Sequence, residues 1–140
     1  MDAKEYLSLV KEKQDRIVEK QEYIERLYGT LGIAGIDYSR DKIQTSPDAD
    51  KFADTFAKIF KAEEDLTRMK EDFVQFRVQV IDMIQKVPEK KHREVLNHVY
   101  LDFMSLKECA KHVDYCYDYV RELHSEGLKS FEEIFPHQFC

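Results

Sequence analysis

The chain has 140 residues, of which 43% are hydrophobic and 36% are charged, and it contains few glycines or prolines, three cysteines and no tryptophan. This composition favours a small all-α protein, and the absence of any apolar run of about 20 residues excludes a membrane-spanning helix. The net charge of −6 excludes nucleic-acid binding that relies on bulk positive charge, and an odd number of cysteines without an apolar leader predicts a reduced protein of the cytoplasm.

Residues 3–31 form the first predicted helix. Apolar residues recur there every seven positions, at Ala3, Val10, Ile17, Ile24 and Leu31. Three glycines, beginning with Gly29, interrupt the repeat, and no periodicity returns before Ser46. We therefore predict a connecting loop over residues 29–46, which is long for a compact protein and so is expected to be mobile or functional.

A second, longer helix is predicted over residues 47–87. Ser46 can cap it, Pro47 fits the first helical position, and Pro88 ends it. The core positions repeat every seven residues at Phe52, Ile59, Leu66, Phe73 and Val80. These residues form one apolar stripe along the helix, which we call the heptad seam. A seam this long must pack against a partner, which is either the first helix folded back as an antiparallel hairpin, a second copy of the chain, or both.

The residues after Pro88 predict three shorter helices. The first covers residues 89–101, and a capping box at Ser105 and Glu108 starts the second. A turn around Asp114 separates it from a third helix that begins at Cys116. Two short helices joined by a three-residue turn are typical of a helix-turn-helix.

Reactive side chains crowd this motif, at Cys109, His112, Cys116 and His124. All four are residue types that zinc accepts, but Cys109 falls on the apolar stripe and the set straddles the turn, so we favour a core cysteine over a metal site. His92 and His98 stand singly and are interpreted as surface or capping residues. The chain has no glycine-rich phosphate loop, serine elbow or oriented cysteine–histidine pair, so we expect neither an enzyme nor a cofactor.

The outward face of the last helix offers a different chemistry. It is predicted to carry Tyr117, Asp118, Arg121 and Ser125, with Tyr119 on its flank. Arginine can form two hydrogen bonds to a guanine edge, and tyrosine can contact a phosphate or a thymine methyl group. These five residues are the candidate DNA contacts. The alternative is a helix-turn-helix used only for packing or protein contact, since acidic residues on this face oppose phosphate binding.

The segment "SLKECAKHVDYCYDYVRELHSEGL", residues 105–128, resembles the sigma-factor region-four-like helix-turn-helix of phage late-transcription regulators of the RinA/ArpU type. The matching positions are Ser105, Glu108, Ala110, Val113, Tyr115, Val120, Leu123, His124 and Leu128. "MDAKEYL", "DKIQTSP" and the heptad helix are similar to a poorly characterised family from phages and prophages of Gram-positive bacteria. The chain departs from the pattern at Cys109, Asp114, Cys116 and Gly127, where isoleucine, glycine, serine and alanine are usual.

The resemblance implies a sequence-specific, DNA-binding regulator of transcription in the cytoplasm of a bacterial host. It also implies a packing or backbone-bonding role for His124. We expect an all-α protein with a helical hairpin or coiled coil over residues 1–87, a helix-turn-helix domain over 88–131 and a tail over 132–140. The expected partners are double-stranded DNA, a second copy of the chain that dimerises through the heptad helices, and RNA polymerase, with no membrane. The alternative is a protein-interaction module that docks RNA polymerase or another phage protein without reading DNA.

Overall fold

The computed structural model describes the backbone of residues 1–33 and 48–139 and the side chains of residues 1–32 and 52–139. These residues form helices and no strand, which confirms the predicted all-α class, a long helix followed by shorter ones. The elements are α1 (Ala3–Ile33), α2 (Asp48–Gln85), α3 (Lys90–Leu96) with a π-helical turn (Asn97–Leu101), α4 (Leu106–Val113) and α5 (Tyr117–Ile134). None of these helices combines the length and apolar character needed to cross a membrane.

The chain divides into two compact units. The terminal unit contains Met1–Gln14 and Phe73–Cys140, and the middle unit contains Asp15–Asp72. These units do not coincide with the boundaries expected at residues 87 and 131, because the start of α1 and the end of α2 pack with the C-terminal helices in one core.

In the terminal unit, α1 and α2 run antiparallel. Gln79 Nε2 donates to Tyr6 Oη at 3.0 Å, and Tyr6 Oη lies 3.6 Å from Met83 Sδ. The Tyr6 ring also meets the Phe76 ring edge-on, with 5.3 Å between centroids. The core beneath them buries Leu7, Val10, Val80, Ile84, Leu96 and Phe131 completely or almost so. The predicted tail also packs here, because the rings of Phe135 and Phe139 lie 5.1 Å and 5.7 Å from that of Phe131.

The middle unit is an antiparallel pair formed by the rest of α1 and α2. Tyr28 Oη donates to Glu63 at 3.0 Å, and Lys20 Nζ lies 3.9 Å from Asp65. Its buried apolar residues are Ile17, Ile24, Leu31, Ile59 and Ala62. Of the predicted seam, Ile59 and Val80 are buried and Phe52, Leu66 and Phe73 are half-buried in the single chain. Much of the heptad seam is thus covered by α1.

The prediction of a loop over residues 29–46 was wrong at its start, because α1 continues through Gly29 and Gly32 to Ile33. Each glycine costs a helix roughly 1 kcal/mol relative to alanine. Leu31 lies between them with only 2% of its surface exposed, and its burial offsets much of that cost. The remainder of the predicted loop, and the Ser46 and Pro47 start signal, lie outside the described residues.

The predicted helix over residues 89–101 is observed with its last turn widened to a π-helix. The amide of Asp102 donates to the carbonyl of Asn97 at 3.0 Å, five residues back. Arg77 Nη1 donates to the carbonyl of Leu101 at 2.9 Å and so satisfies a group at the end of the helix. Two residues after Leu101, Phe103 has a φ of 58° and turns the chain towards α4.

Candidate nucleic-acid interface

Local capping forms the helix-turn-helix much as predicted. Ser105 is the N-cap of α4, and its hydroxyl accepts from the amide of Glu108 at 3.1 Å. Asp114 ends α4 in the left-handed region, with φ 62° and ψ 40°, which aspartate adopts more readily than most residues. Cys116 is the N-cap of α5, but its thiol makes no capping hydrogen bond in the described part of the chain. The turn is therefore set by one side-chain cap and one left-handed residue.

A small apolar cluster holds α4 and α5 on α3. It buries Val95, Cys109, Ala110, Val120 and Leu123. Cys109 is fully buried, and this burial, with the nearby charge of Glu94, raises the pKa of its thiol. A raised pKa keeps the thiol protonated and unreactive, so Cys109 acts as a core residue, as predicted from its position on the apolar stripe.

Gly127 lies where α5 packs on α3. A Cβ at this position would lie 3.4 Å from Leu96 Cγ and 3.5 Å from His92 Cβ, so the two helices approach closely. This approach buries His92, whose Nε2 lies 3.2 Å from Glu126 Oε2. The interpretation of His92 as a surface or capping residue was wrong, because a contact between helices distant in sequence encloses it.

The four residues considered as zinc ligands, Cys109, His112, Cys116 and His124, do not lie together. Cys109 is buried and Cys116 exposed, the ring of His112 lies 4.6 Å from that of His98, and His124 packs on Tyr100. Within residues 1–33 and 48–139, no group of three or more metal-binding side chains is arranged to hold an ion.

His124 takes a packing role, as the resemblance implied. Burial, followed by the nearby charge of Lys4, lowers its pKa, and burial raises the pKa of Tyr100 to about 12. A neutral imidazole facing a protonated phenol accepts its hydrogen bond, and Tyr100 Oη lies 2.7 Å from His124 Nε2. This bond links α5 to the π-helical turn.

The five candidate DNA contacts lie on the outer side of α5. Tyr117, Asp118, Arg121 and Ser125 are exposed, and Tyr119 is half-buried. Arg121 Nη1 lies 4.0 Å from Asp118 Oδ1, and its guanidinium lies 5.7 Å from the centre of the Tyr117 ring. Asp118 thus serves as a solvent-exposed partner for Arg121, and such exposed pairs are weak enough to exchange for another ligand.

Lysines from neighbouring helices extend this surface, and sequence reasoning missed them. Lys107 Nζ lies 5.9 Å from the centre of the Tyr117 ring, and Lys91 Nζ donates to Tyr119 Oη at 3.1 Å. The hydrogen bond to Tyr119 is the main cause of a raised pKa at Lys91. Lys107 and Lys111 both line a shallow groove of about 490 Å³ beside Tyr115 and Tyr117. Their spacing of four residues on a predicted helix was the signal that could have identified them.

The chain was compared with protein-family models, with curated protein sequences and with solved structures, and none of the three comparisons gave a match.

Proposed function

We propose that the chain is a DNA-binding regulator of transcription, of the kind that phages and prophages encode, acting in the cytoplasm of a bacterial host. One observation carries the proposal. A capped helix-turn-helix presents Arg121 and Tyr117 on α5, beside Lys107 and Lys111 on α4. In this motif the second helix enters the major groove, while neighbouring cations contact the phosphates.

Each residue then has a distinct role at the DNA. Lys107 and Lys111 contact phosphates, and they set position without reading sequence. Arg121 leaves Asp118 and forms two hydrogen bonds to the O6 and N7 of a guanine. Asp118 accepts from the amino group of a neighbouring cytosine, and Tyr117 contacts a phosphate or a thymine methyl group. Ser125 and Tyr119 complete the contact at its edges.

Dimerisation is part of the proposal, because residues 88–130 carry seven Lys and Arg against eight Asp and Glu. A near-neutral module binds phosphate weakly, and a second copy raises the apparent affinity through avidity. RNA polymerase is the further partner we propose, in line with the sigma-like form of the motif. Since α1 covers much of the heptad seam, the second copy would use another surface.

Selection from a pool of duplexes with a randomised core tests the reading of sequence. We expect the wild-type chain to enrich a defined site and Arg121→Ala to lose preference at one base pair, with a cost of about 1–3 kcal/mol there. Lys70→Ala removes an exposed cation from α2 and is the matched control, which should enrich the wild-type site. Enrichment of no sequence, together with binding to RNA polymerase in the absence of DNA, would overturn the proposal in favour of a protein-interaction module.

A further inference from the structure

A second charged surface lies wholly within the middle unit. We call it the basic groove. Arg16 and Lys20 of α1 and Lys58 and Lys61 of α2 line it, together with Tyr23 and Met69, and its volume is about 580 Å³. All of these residues belong to Asp15–Asp72, so the basic groove shares no residue with the candidate nucleic-acid interface.

The basic groove carries a local excess of positive charge in a chain of net charge −6. Glu19 and Asp65 are the two carboxylates among its described lining residues. Asp65 is already neutralised, because Lys20 lies 3.9 Å from it and Arg68 Nη2 only 2.6 Å. Neither Lys58 nor Lys61 forms an ion pair with any described residue. Lys58 and Lys61 can therefore accept carboxylates of a ligand.

The floor of the basic groove is apolar. The Tyr23 ring is 45% exposed there, Met69 is half-buried, and the methyl group of Ala62 lies almost fully buried between the helices. Lys20 Nζ lies 5.5 Å from the centre of the Tyr23 ring, so the cationic wall and the apolar floor meet. A half-buried thioether beside an exposed aromatic ring is common where proteins bind amphipathic segments.

We propose that the basic groove binds an acidic amphipathic helix of a partner protein. Such a helix places apolar side chains on Tyr23 and Met69 and carboxylates on the flanking lysines, so it satisfies both parts of the surface. A phosphate backbone would meet the cations but leave the apolar floor uncovered. The groove extends along α2 from Lys58 to Met69, which at 1.5 Å per residue is about 16 Å, or roughly three turns of a bound helix.

The probe is a fluorescein-labelled synthetic peptide of about four helical turns, with a leucine stripe flanked by glutamates. Fluorescence anisotropy measures its binding to the full chain. We expect affinity to fall as salt rises, and the double variant Lys58→Glu with Lys61→Glu to bind at least about tenfold more weakly, because like charges then face the peptide. Lys70→Glu makes one such charge reversal on α2 outside the groove lining and should bind as the wild type does. Circular dichroism verifies that the double variant keeps its helix content.

Equal binding of the peptide to the wild type and the double variant would overturn the proposal. It would also be overturned if a peptide with lysines in place of the glutamates bound equally well. A third result would also contradict the proposal. If the wild type does not bind the peptide and the double variant binds duplex DNA more weakly than the wild type does, the groove is a DNA contact. The outcome does not depend on Arg121, so the basic groove and the proposed DNA interface can fail separately.

Discussion

The terminal and middle units differ in how their helices are held. Of the 21 buried hydrophobic residues in the described chain, 16 lie in the terminal unit and five in the middle unit. Of the exposed aromatic residues in the described chain, Tyr117 lies in the terminal unit, and the middle unit has Tyr23, Tyr28, Phe56 and Phe60. A deep core fixes the orientation of a recognition helix, whereas a two-helix pair with exposed aromatic residues offers a surface to a partner. The deep core of the terminal unit supports the proposed DNA contact, and the exposed aromatic residues of the middle unit support the proposed docking of a partner.

The largest expected effect compares two leucines of equal chemistry. Leu96→Ala in the terminal unit, where the side chain is fully buried, should destabilise the chain by about 3–5 kcal/mol. Leu31→Ala in the middle unit should cost only about 2–3 kcal/mol, because a two-helix seam can relax into the space. Urea unfolding followed by circular dichroism gives both values. If both variants lost the same free energy of unfolding, the two units would not differ in how firmly their cores are packed.

A pH-dependent effect is expected in the terminal unit. Because burial holds the pKa of His124 below its ordinary value of 6.5, the unfolded chain takes up this proton at a higher pH than the folded chain. Its contribution to stability is therefore complete above about pH 6.5 and is lost as the pH falls through the folded-state pKa. In His124→Gln the free energy of unfolding should fall less between about pH 7.5 and about pH 5.5 than it does in the wild type. Unfolding experiments at these two pH values will measure the difference. The same slope in the variant and the wild type would show that His124 is not buried as described.

The smallest effects compare two helical glycines. At Gly127 a Cβ would make ordinary contact with Leu96, and at Gly29 it would meet no described atom within 4 Å. Alanine gains helix propensity at both, so Gly127→Ala and Gly29→Ala should each stabilise by about 0.5–1 kcal/mol. Thermal unfolding will detect the expected rise in melting temperature. A loss at Gly127 alone would mean that the terminal unit is packed too tightly at this crossing to admit one methyl group.

The parts of the fold that could be predicted from the sequence are those set by nearby residues. Ser105 caps α4 because a hydroxyl three residues before an amide can reach it, and Asp114 turns the chain because its side chain tolerates a positive φ. The parts that could not be predicted depend on distant contacts. The π-helical turn ends where Arg77 reaches Leu101, and His92 is buried by α5. Gly29 and Gly32 predicted a loop from their local preference, but the burial of Leu31 between them offsets much of the cost of a helix there.

The candidate nucleic-acid interface also contains residues that the sequence predicts and residues whose position depends on distant contacts. Helical periodicity alone placed Tyr117, Asp118 and Arg121 on the outer side of α5, where they are exposed. Asp118, the acidic residue among them, pairs with Arg121. Lys91 and Lys107 reach the same surface from other helices, and their contacts with Tyr119 and Tyr117 depend on how α3, α4 and α5 cross. Such a surface follows from packing, which no single helix encodes.

We propose that the helix-turn-helix binds DNA phosphates through α4, and the salt dependence of binding tests this proposal most directly. The measurement is the slope of log Kd against log salt for the site enriched by the wild-type chain. We expect Lys107→Ala and Lys111→Ala each to lower the magnitude of this slope by about 1, and Lys70→Ala to leave it unchanged. A slope near zero for the wild type, or α4 variants that both keep the wild-type slope, would contradict the proposal.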